Sequence, residues 1–345
     1  MYVGLITNYK PPRGENMEQL FCGLDIHKEK YTGCIMDARG KVVREKEFSS
    51  RPEALEKFVT GIPNTHLTVA VEACGMWRPA YKNLTTLGYT VKLANPRKTH
   101  DIAASKKTDW EDAKILADLL RTNYLPEVYI PDEETQKLRD LCRHKSSITR
   151  IQTQVKTKIK TNLLREGQSY PKNLWTKKML TNFKKQNQDQ NTTNLLNLYD
   201  SIHAEETEAK NRIDKISRSK KQTTLLMSLP GVAEYSALFI LAEIGDIKRF
   251  KTPQHLISYC GLCPGIYQSG SKEHTVEKHA VNKWLKWILY ESSGKAATID
   301  PRFMKHYHKI QKRKGMQTAR RSTARKMATI IWHMLTKQEP YREVA

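Results

Sequence analysis

The sequence contains no long apolar run. Its longest stretches are as short as Ser236 to Ala242, far below the ~20 apolar residues that a membrane-spanning helix needs. A helical membrane protein is therefore not expected. The first twenty residues have no signal-peptide core, because Lys10, Pro11 and Pro12 interrupt them at once, and the expected setting is soluble and intracellular. Cysteine is scarce, six residues scattered over 345, which suits reduced thiols and not a disulfide framework. No internal repeat is evident. The most telling shortage is of negative charge: 36 Asp and Glu stand against 59 Lys and Arg, a formal balance of +23.

Hydrophobic residues make up 39% of the chain, enough to build real cores and to exclude wholesale disorder. The length suits two or three domains. The charge is unevenly placed. Residues 1–150 hold 24 basic and 20 acidic side chains, whereas residues 151–345 hold 35 and 16. The last 45 residues alone hold 12 basic and 2 acidic. A cationic surface of this size attracts polyanions, and nucleic acid is the usual partner. A purely solubilising basic surface is the alternative. No polybasic run flanks an amphipathic anchor, so anionic membrane is a weaker candidate.

The pattern from Phe21 to Arg121 is α/β. Short apolar runs at Phe21–Ile26 and Tyr31–Met36, the turn Asp37-Ala38-Arg39-Gly40 and the run Lys41–Phe48 predict a strand followed by a hairpin. A helix is predicted over Pro52–Val59, with proline in its first turn. Strands at Leu67–Val71 and Tyr89–Leu93 flank a helix at Trp77–Leu87. Thr108 can cap a helix that starts near Asp109 and aligns Ala113, Leu116, Ala117 and Leu120. From Glu133 to Arg165, Leu138, Leu141, Ile148, Ile151, Val155, Ile159 and Leu163 form a helical stripe. Residues 166–194 are polar and read as a mobile connection, and Leu195–Ser217 reads as a second long helix. Two such helices pair with each other or with another subunit. Leu229-Pro230-Gly231-Val232, ahead of an apolar helix over Tyr235–Ile244, reads either as a phosphate-binding turn or as an ordinary helix-turn-helix corner.

Four carboxylates stand out by position. Asp25 ends the first strand and Glu72 follows the fourth. Asp109 and Asp112 are three apart on a predicted helix, so they share a face. Strand ends and that face can converge on one acidic pocket. Clustered carboxylates need counter-charge, and Mg²⁺ supplies it while leaving positions open for phosphate. Asp101 and Glu111 fit the shared face less well. His27 could assist proton transfer or be structural. Lys107, just before the acidic pair, could touch a phosphate.

Gly23-Leu24-Asp25-Ile26-His27-Lys28, Val71-Glu72-Ala73 and Lys107-Thr108-Asp109 with Asp112-Ala113 resemble the DEDD transposases of insertion sequences. Ile244-Gly245-Asp246, Arg249-Phe250, Tyr259-Cys260-Gly261-Leu262-Cys263-Pro264 and Tyr267-Gln268-Ser269-Gly270 resemble the second domain of that family, so the likeness runs from about Phe21 to Tyr341. The resemblance implies an RNase H-like (RuvC-like) N-terminal domain and a recombinase that excises and inserts its own element. It implies Mg²⁺ (or Mn²⁺) held by Asp25, Glu72, Asp109 and Asp112. It implies Ser269 as a nucleophile that forms a covalent phosphoserine intermediate, with Ser271 as the nearest rival. It further implies guidance by a structured noncoding bridge RNA that pairs with donor element ends and target DNA. A homo-oligomer, dimer or tetramer, working at the nucleoid of a prokaryotic cytoplasm is expected. The chain departs from the family at Lys278-His279-Ala280-Val281-Asn282 and Lys286, where a glycine is missing and lysine replaces arginine.

The basic residues Arg313, Lys314, Arg320, Arg321 and Arg325 are the candidates for nucleic-acid contact. Trp284, Trp287, Tyr307 and Trp332 fall at spacings that suit a packed core better than base stacking. Cys260 and Cys263 have zinc-ligand spacing but no second pair. The expected architecture is α/β plus α: an RNase H-like domain over 19–125, a helical, coiled-coil-like connector over 126–222, and a mostly helical domain with the serine over 223–345. The expected function is an RNA-guided, serine-dependent DNA transposase. The alternatives are a structure-selective metal-dependent nuclease, such as a Holliday-junction resolvase, without serine chemistry, and a non-enzymatic nucleic-acid-binding protein.

Overall fold

A computed structural model describes residues 18–102, 108–187, 189–263 and 281–342, together with the backbone of 265–269 and 272–276. The chain divides into two compact units, residues 1–130 and 131–345. The predicted connector and C-terminal segments thus fall in one unit.

The first unit is built on a six-stranded sheet. Its strands are β1 (Leu20–Ile26), β2 (Lys30–Met36), β3 (Val42–Ser49), β4 (Leu67–Glu72), β5 (Thr90–Ala94) and β6 (Glu127–Val128), in the order β3-β2-β1-β4-β5-β6. β1, β4 and β5 run parallel; β2 is antiparallel to β1 and β3, and β6 to β5. Strand alternation sorts the two faces. Leu20, Cys22, Leu24 and Ile26 of β1 and Leu67, Val69 and Val71 of β4 are buried together with Leu55 and Phe58 of α1 (Pro52–Val59) and Leu84 of α2 (Trp77–Thr86). The opposite face takes α4 (Asp109–Arg121), which packs on β1, β2 and β4. The predicted elements of this unit are all present. The structure adds β6 and a short α3 (Pro96–Ile102).

Gly23 sets how closely α4 lies on the sheet. A Cβ at this position would stand 2.0 Å from the carbonyl oxygen of Ala113 and 2.6 Å from the backbone nitrogen of Ala117. Only glycine lets the helix backbone come this near to the strand.

The second unit is helical. Its helices are α5 (Glu133–Arg165), α6 (Lys177–Gln186), α7 (Gln190–Ser219), α8 (Lys221–Met227), α9 (Glu234–Ile244), α10 (Pro253–Tyr259), α11 (Lys283–Ile299) and α12 (Pro301–Lys337). A hairpin of β7 (Gly265–Ser269) and β8 (Lys272–Val276) lies between α10 and α11. α5 and α7 pack on each other. α9 is mostly apolar and takes the centre of the core, with Leu238, Phe239 and Ile240 wholly buried and Glu243 buried among them.

The expected mobile connection over 166–194 is corrected. It contains α6, and α7 begins at Gln190. Leu174 is fully buried, and Trp175, Leu180 and Phe183 pack with it against Val155, Ile159, Leu163, Leu196 and Tyr199. Those few apolar residues, dispersed among polar ones, suffice to order the segment.

α12 is two helical arms. Gly315, at φ 78° and ψ 169°, breaks the helical path. The second arm folds back on the first, so that His306 meets Ser322 at 3.1 Å and the ammonium of Lys326 lies over the Phe303 ring. Among the described residues no helix is long and apolar enough to cross a membrane.

Replacing Gly23 by alanine should destabilise the first unit by about 3 kcal/mol, the upper range for overpacking against rigid neighbours. Denaturant melts of the full chain check this. A wild-type midpoint would mean that α4 can retreat freely.

Candidate active site

Strand register brings the first two acids together. Leu24 pairs with Val71 across the parallel β1–β4 ladder, so Asp25 and Glu72 are the next positions on neighbouring strands. Both follow, by two residues, a position on the α4 side of the sheet: Gly23 touches the α4 backbone, and Ala70 packs with Leu116 and Leu120. The acids thus stand at the carboxyl ends of parallel strands, where open α/β sheets bind ligands.

The helix brings the other two. Thr108 caps α4, its hydroxyl accepting the backbone N–H of Glu111 at 3.2 Å. Asp109 and Asp112 follow in the first turn, where the helix dipole favours negative charge. Because Gly23 faces Ala113 and Ala117, the turn preceding Ala113 reaches Asp25, two residues further along β1.

The resulting cluster is tight. His27 Nε2 donates to Asp25 Oδ2 at 3.1 Å and lies 3.6 Å from Asp109 Oδ1. One ligand atom from each of Asp25, His27 and Asp109 falls within 4.8 Å of the others. Asp25 is 8% exposed. Its pKa is raised, first by burial and further by Asp109 and Asp112, while His27 opposes the rise. Asp112 thus acts on Asp25 through its charge, and Glu72 is placed by register. Neither belongs to the tight group of three.

Two residues of this site were not expected from sequence. Lys30 Nζ reaches Asp109 Oδ2 at 3.2 Å and Glu47 Oε2 at 2.8 Å. Hydrogen bonds to Glu47 and Asp109 raise its pKa. Only the alternation of Lys30 and Glu47 along the β2–β3 hairpin hinted at this, and it required the strand register.

The donor set fits a divalent cation. Two carboxylates, one of them buried and under-compensated, offer hard oxygen ligands, which suit Mg²⁺. The imidazole makes Mn²⁺ an equally good match.

The other expected residues fall as follows. Ser269 is the last residue of β7, in the second unit, paired with Lys272. Ser271 and Lys107 lie outside the described residues. Arg313, Lys314, Arg321 and Arg325 line a cavity of about 550 Å³ where the two arms of α12 meet. Arg320 instead donates to Tyr290 O and Glu291, and Arg325 spends two donors on Leu262 O. Trp284 packs with Phe239 and Trp287, and Trp332 donates to Phe250 O, so these aromatics are structural. Cys260 is buried in the core, which pushes its thiol pKa up. Asp25, His27 and Asp109 form the sole metal-competent group among the described residues. Gly231 faces α11, where a Cβ would stand 2.4 Å from Ser292 O, so this turn is a packing corner.

An acidic pocket on an α/β sheet, with a strongly basic helical unit in the same chain, defines an enzyme of nucleic-acid chemistry. Residues 22–166 match the IS110-type DEDD transposase family, and residues 223–308 match the transposase IS116/IS110/IS902 family. The chain is 24% identical to the transposase for insertion sequence element IS1111A of Coxiella burnetii, over 98% of this chain and 95% of that one. It is 22% identical to a probable family 20 transposase of Pseudomonas aeruginosa, over 93% and 98%. It is 23% identical to the pilin gene-inverting protein of Moraxella bovis, over 75% and 76%. The chain is a DNA transposase with the two domains of the IS110/IS116 family.

The raised pKa of Asp25 has a consequence for stability. A carboxyl whose pKa is raised on folding stabilises the fold only while protonated, and that contribution is lost as pH rises through the folded value. In the metal-free protein, Asp25→Asn should therefore melt higher than wild type at pH 7. The gain should shrink as pH falls into the carboxylate range. Melting curves at pH 7 and pH 4 test the sign, and a variant that melts lower at pH 7 would contradict it.

Proposed function

We propose that this transposase cuts and rejoins DNA with a divalent-cation acidic site in the first unit and a serine nucleophile in the second. The observation that carries the reading is the Asp25–His27–Asp109 group at the carboxyl end of β1. The strand order β3-β2-β1-β4-β5, with β2 alone antiparallel among β1, β2, β4 and β5, supports an RNase H-like (RuvC-like) fold for this unit. Glu72 and Asp112 complete the proposed ligand set of Asp25 and Asp109.

A bound Mg²⁺ or Mn²⁺ ion would supply positive charge for the phosphate oxygens at which negative charge develops. The residues of the chain do the rest. Asp25 and Asp109 hold the pocket's charge, His27 bridges them, and Lys30 keeps Asp109 oriented. Ser269 Oγ attacks the phosphorus of a DNA phosphodiester. The Oγ–P bond forms, one P–O ester bond breaks, and the serine proton ends on the leaving DNA oxygen. The phosphoserine bond conserves the energy for rejoining to a new DNA end. One relative is named for inverting a pilin gene, and inversion needs both cutting and rejoining.

Arg313, Lys314 and Arg321 are the proposed contacts to the nucleic-acid backbone, and Lys107, adjacent in sequence to the Thr108 cap, is a further proposed contact. A structured bridge RNA that pairs with donor and target supplies sequence choice, and the protein works as a dimer or tetramer in the bacterial cytoplasm. A metal-dependent nuclease without serine chemistry is the second reading. It is favoured by the fact that the acidic group is complete within the first unit.

Oligonucleotides carrying element ends separate the two. Ser269→Ala should form no covalent protein–DNA adduct, and Asp25→Ala should lower strand cleavage at least about a hundredfold. Cleavage by Ser269→Ala at the wild-type rate would refute the serine step and leave the nuclease. Affinity for DNA and for RNA should fall steeply with salt, because bound phosphates release counterions. Titrations between 50 and 200 mM salt, in the range where such losses are usually about a thousandfold or more, check it. Charge removal at Arg313, Lys314 and Arg321 together should flatten that slope.

A further inference from the structure

One buried ionic group of the second unit has no place in the chemistry above. Glu243, near the end of α9, is 0% exposed. Arg143 of α5 grips its carboxylate with both arms, Nε to Oε1 at 2.7 Å and a terminal nitrogen to Oε2 at 2.8 Å. Arg139 donates to the backbone oxygens of Ala242 and Glu243 at 2.7 and 2.9 Å. The side-chain amide of Asn282 donates to Glu243 Oε2 at 2.7 Å and to the Tyr259 hydroxyl at 2.9 Å.

The last two partners are the point. Tyr259 is the final residue of α10, and Asn282 is the residue before α11. The chain that leaves at one and returns at the other carries β7, Ser269 and β8. The two stems are closed directly by Asn282 N donating to Tyr259 O at 2.8 Å. Just beyond, Gly261 has φ 67°, and a Cβ there would stand 2.8 Å from the Val281 side chain. Asn282 also accepts from Leu285 N at 2.9 Å and so caps α11. One side chain therefore starts the helix, pins the returning stem to the departing one, and ties both to a buried charge.

Stability alone is a weak reason for such a group. Desolvating an ion pair offsets most of its attraction, and apolar replacements of equal volume are often as stable. What a fully satisfied polar cluster adds is a single geometry. We infer that the Glu243–Arg143–Asn282–Tyr259 cluster is a clamp that fixes the stand of the serine-bearing hairpin, with Asn282 as its key positioning residue. This rests on the reading of Ser269 as the nucleophile. A nucleophile held within an ångström of its line of attack is fast, and small misplacement is costly.

The test uses the full chain. Asn282→Ser keeps an oxygen to cap α11 but is too short to reach Glu243 and Tyr259. Tyr259→Phe removes only the hydroxyl and is the milder second variant. Three quantities are compared with wild type: covalent adduct formation on element-end DNA, DNA affinity, and amide hydrogen exchange. Adduct formation should fall at least about tenfold in Asn282→Ser and less in Tyr259→Phe, with DNA affinity unchanged. Exchange should quicken in peptides from 265–276 while those from α9 and α11 keep their protection. A purely structural role would instead lower affinity and protection throughout the unit. The clamp is overturned if 265–276 exchanges as in wild type in both variants, or if both form adduct normally while Ser269→Ala forms none. Adduct formation by Ser269→Ala would sink the serine reading instead, and the exchange measurement would then decide the clamp by itself.

Discussion

The first unit depends on a hydrogen atom. Gly23 has no side chain, and α4 passes where a side chain would be, with Ala113 O only 2.0 Å from the place of a Cβ. Two further steps follow from strand and helix periodicity. Asp25 comes two residues later on the same face of β1. Asp109 comes one turn before Ala113 on the helix, and Asp112 immediately before it. The close approach that packs Gly23 against the helix also drives three carboxylates toward one point, and the β1–β4 register adds Glu72. Like charges held this way are unfavourable by themselves, and the pocket shows how they are tolerated. The α4 N-terminus, His27 and Lys30 each contribute positive character, yet Asp25 remains a buried acid with a raised pKa. The compensation is incomplete, as a site meant to receive a cation requires.

The second unit treats its buried carboxylate in the opposite way. Glu243 has a bidentate guanidinium and an amide on its side-chain oxygens, and nothing further is needed to hold its charge. Arg139 completes the arrangement from the backbone side. One acid is only partly compensated, by His27, and the other is saturated. That difference separates a group poised for a ligand from a group that sets geometry.

Much of this was legible in the chain. The turn Asp37-Ala38-Arg39-Gly40, Pro52 and the Thr108 cap punctuate the first unit, and Gly40 does adopt positive φ, at 84°. The stripe from Leu138 to Leu163 marks a helix that runs from Glu133 to Arg165 as expected. Three kinds of feature escaped. The α6 segment is ordered by a handful of apolar residues with no sustained period. Lys30 and Glu47 meet through a hairpin register that also contains a bulge near Ile35 and Met36, and register is not written in residue types alone. The reversal at Gly315 hides in a run whose composition is helical on both sides, where one glycine ordinarily costs only about 1 kcal/mol and passes unnoticed. Asn282 sits in the stretch where the family pattern breaks down, so its role emerged from its bonds.

Charge, finally, is not interchangeable with contact. The excess of basic residues after residue 150 pointed to a polyanion, but the arginines divide on inspection. Arg320 donates to Tyr290 and Glu291, and Arg325 to Leu262. An arginine whose donors are already used for backbone carbonyls contributes its field to the surface yet offers little directional bonding to a phosphate. Arg313 and Lys314 sit beside the Gly315 turn, with Arg321 across the same cavity. The folded-back arms of α12 thus gather several cations around one hollow from a segment that would spread them along a straight helix. From Pro301 to Gln338 the chain carries no Asp or Glu, so α12 has no acid of its own to neutralise them. A reversal made possible by a glycine turns a linear excess of charge into a concave one, and a concave cationic surface focuses its field on a backbone of phosphates.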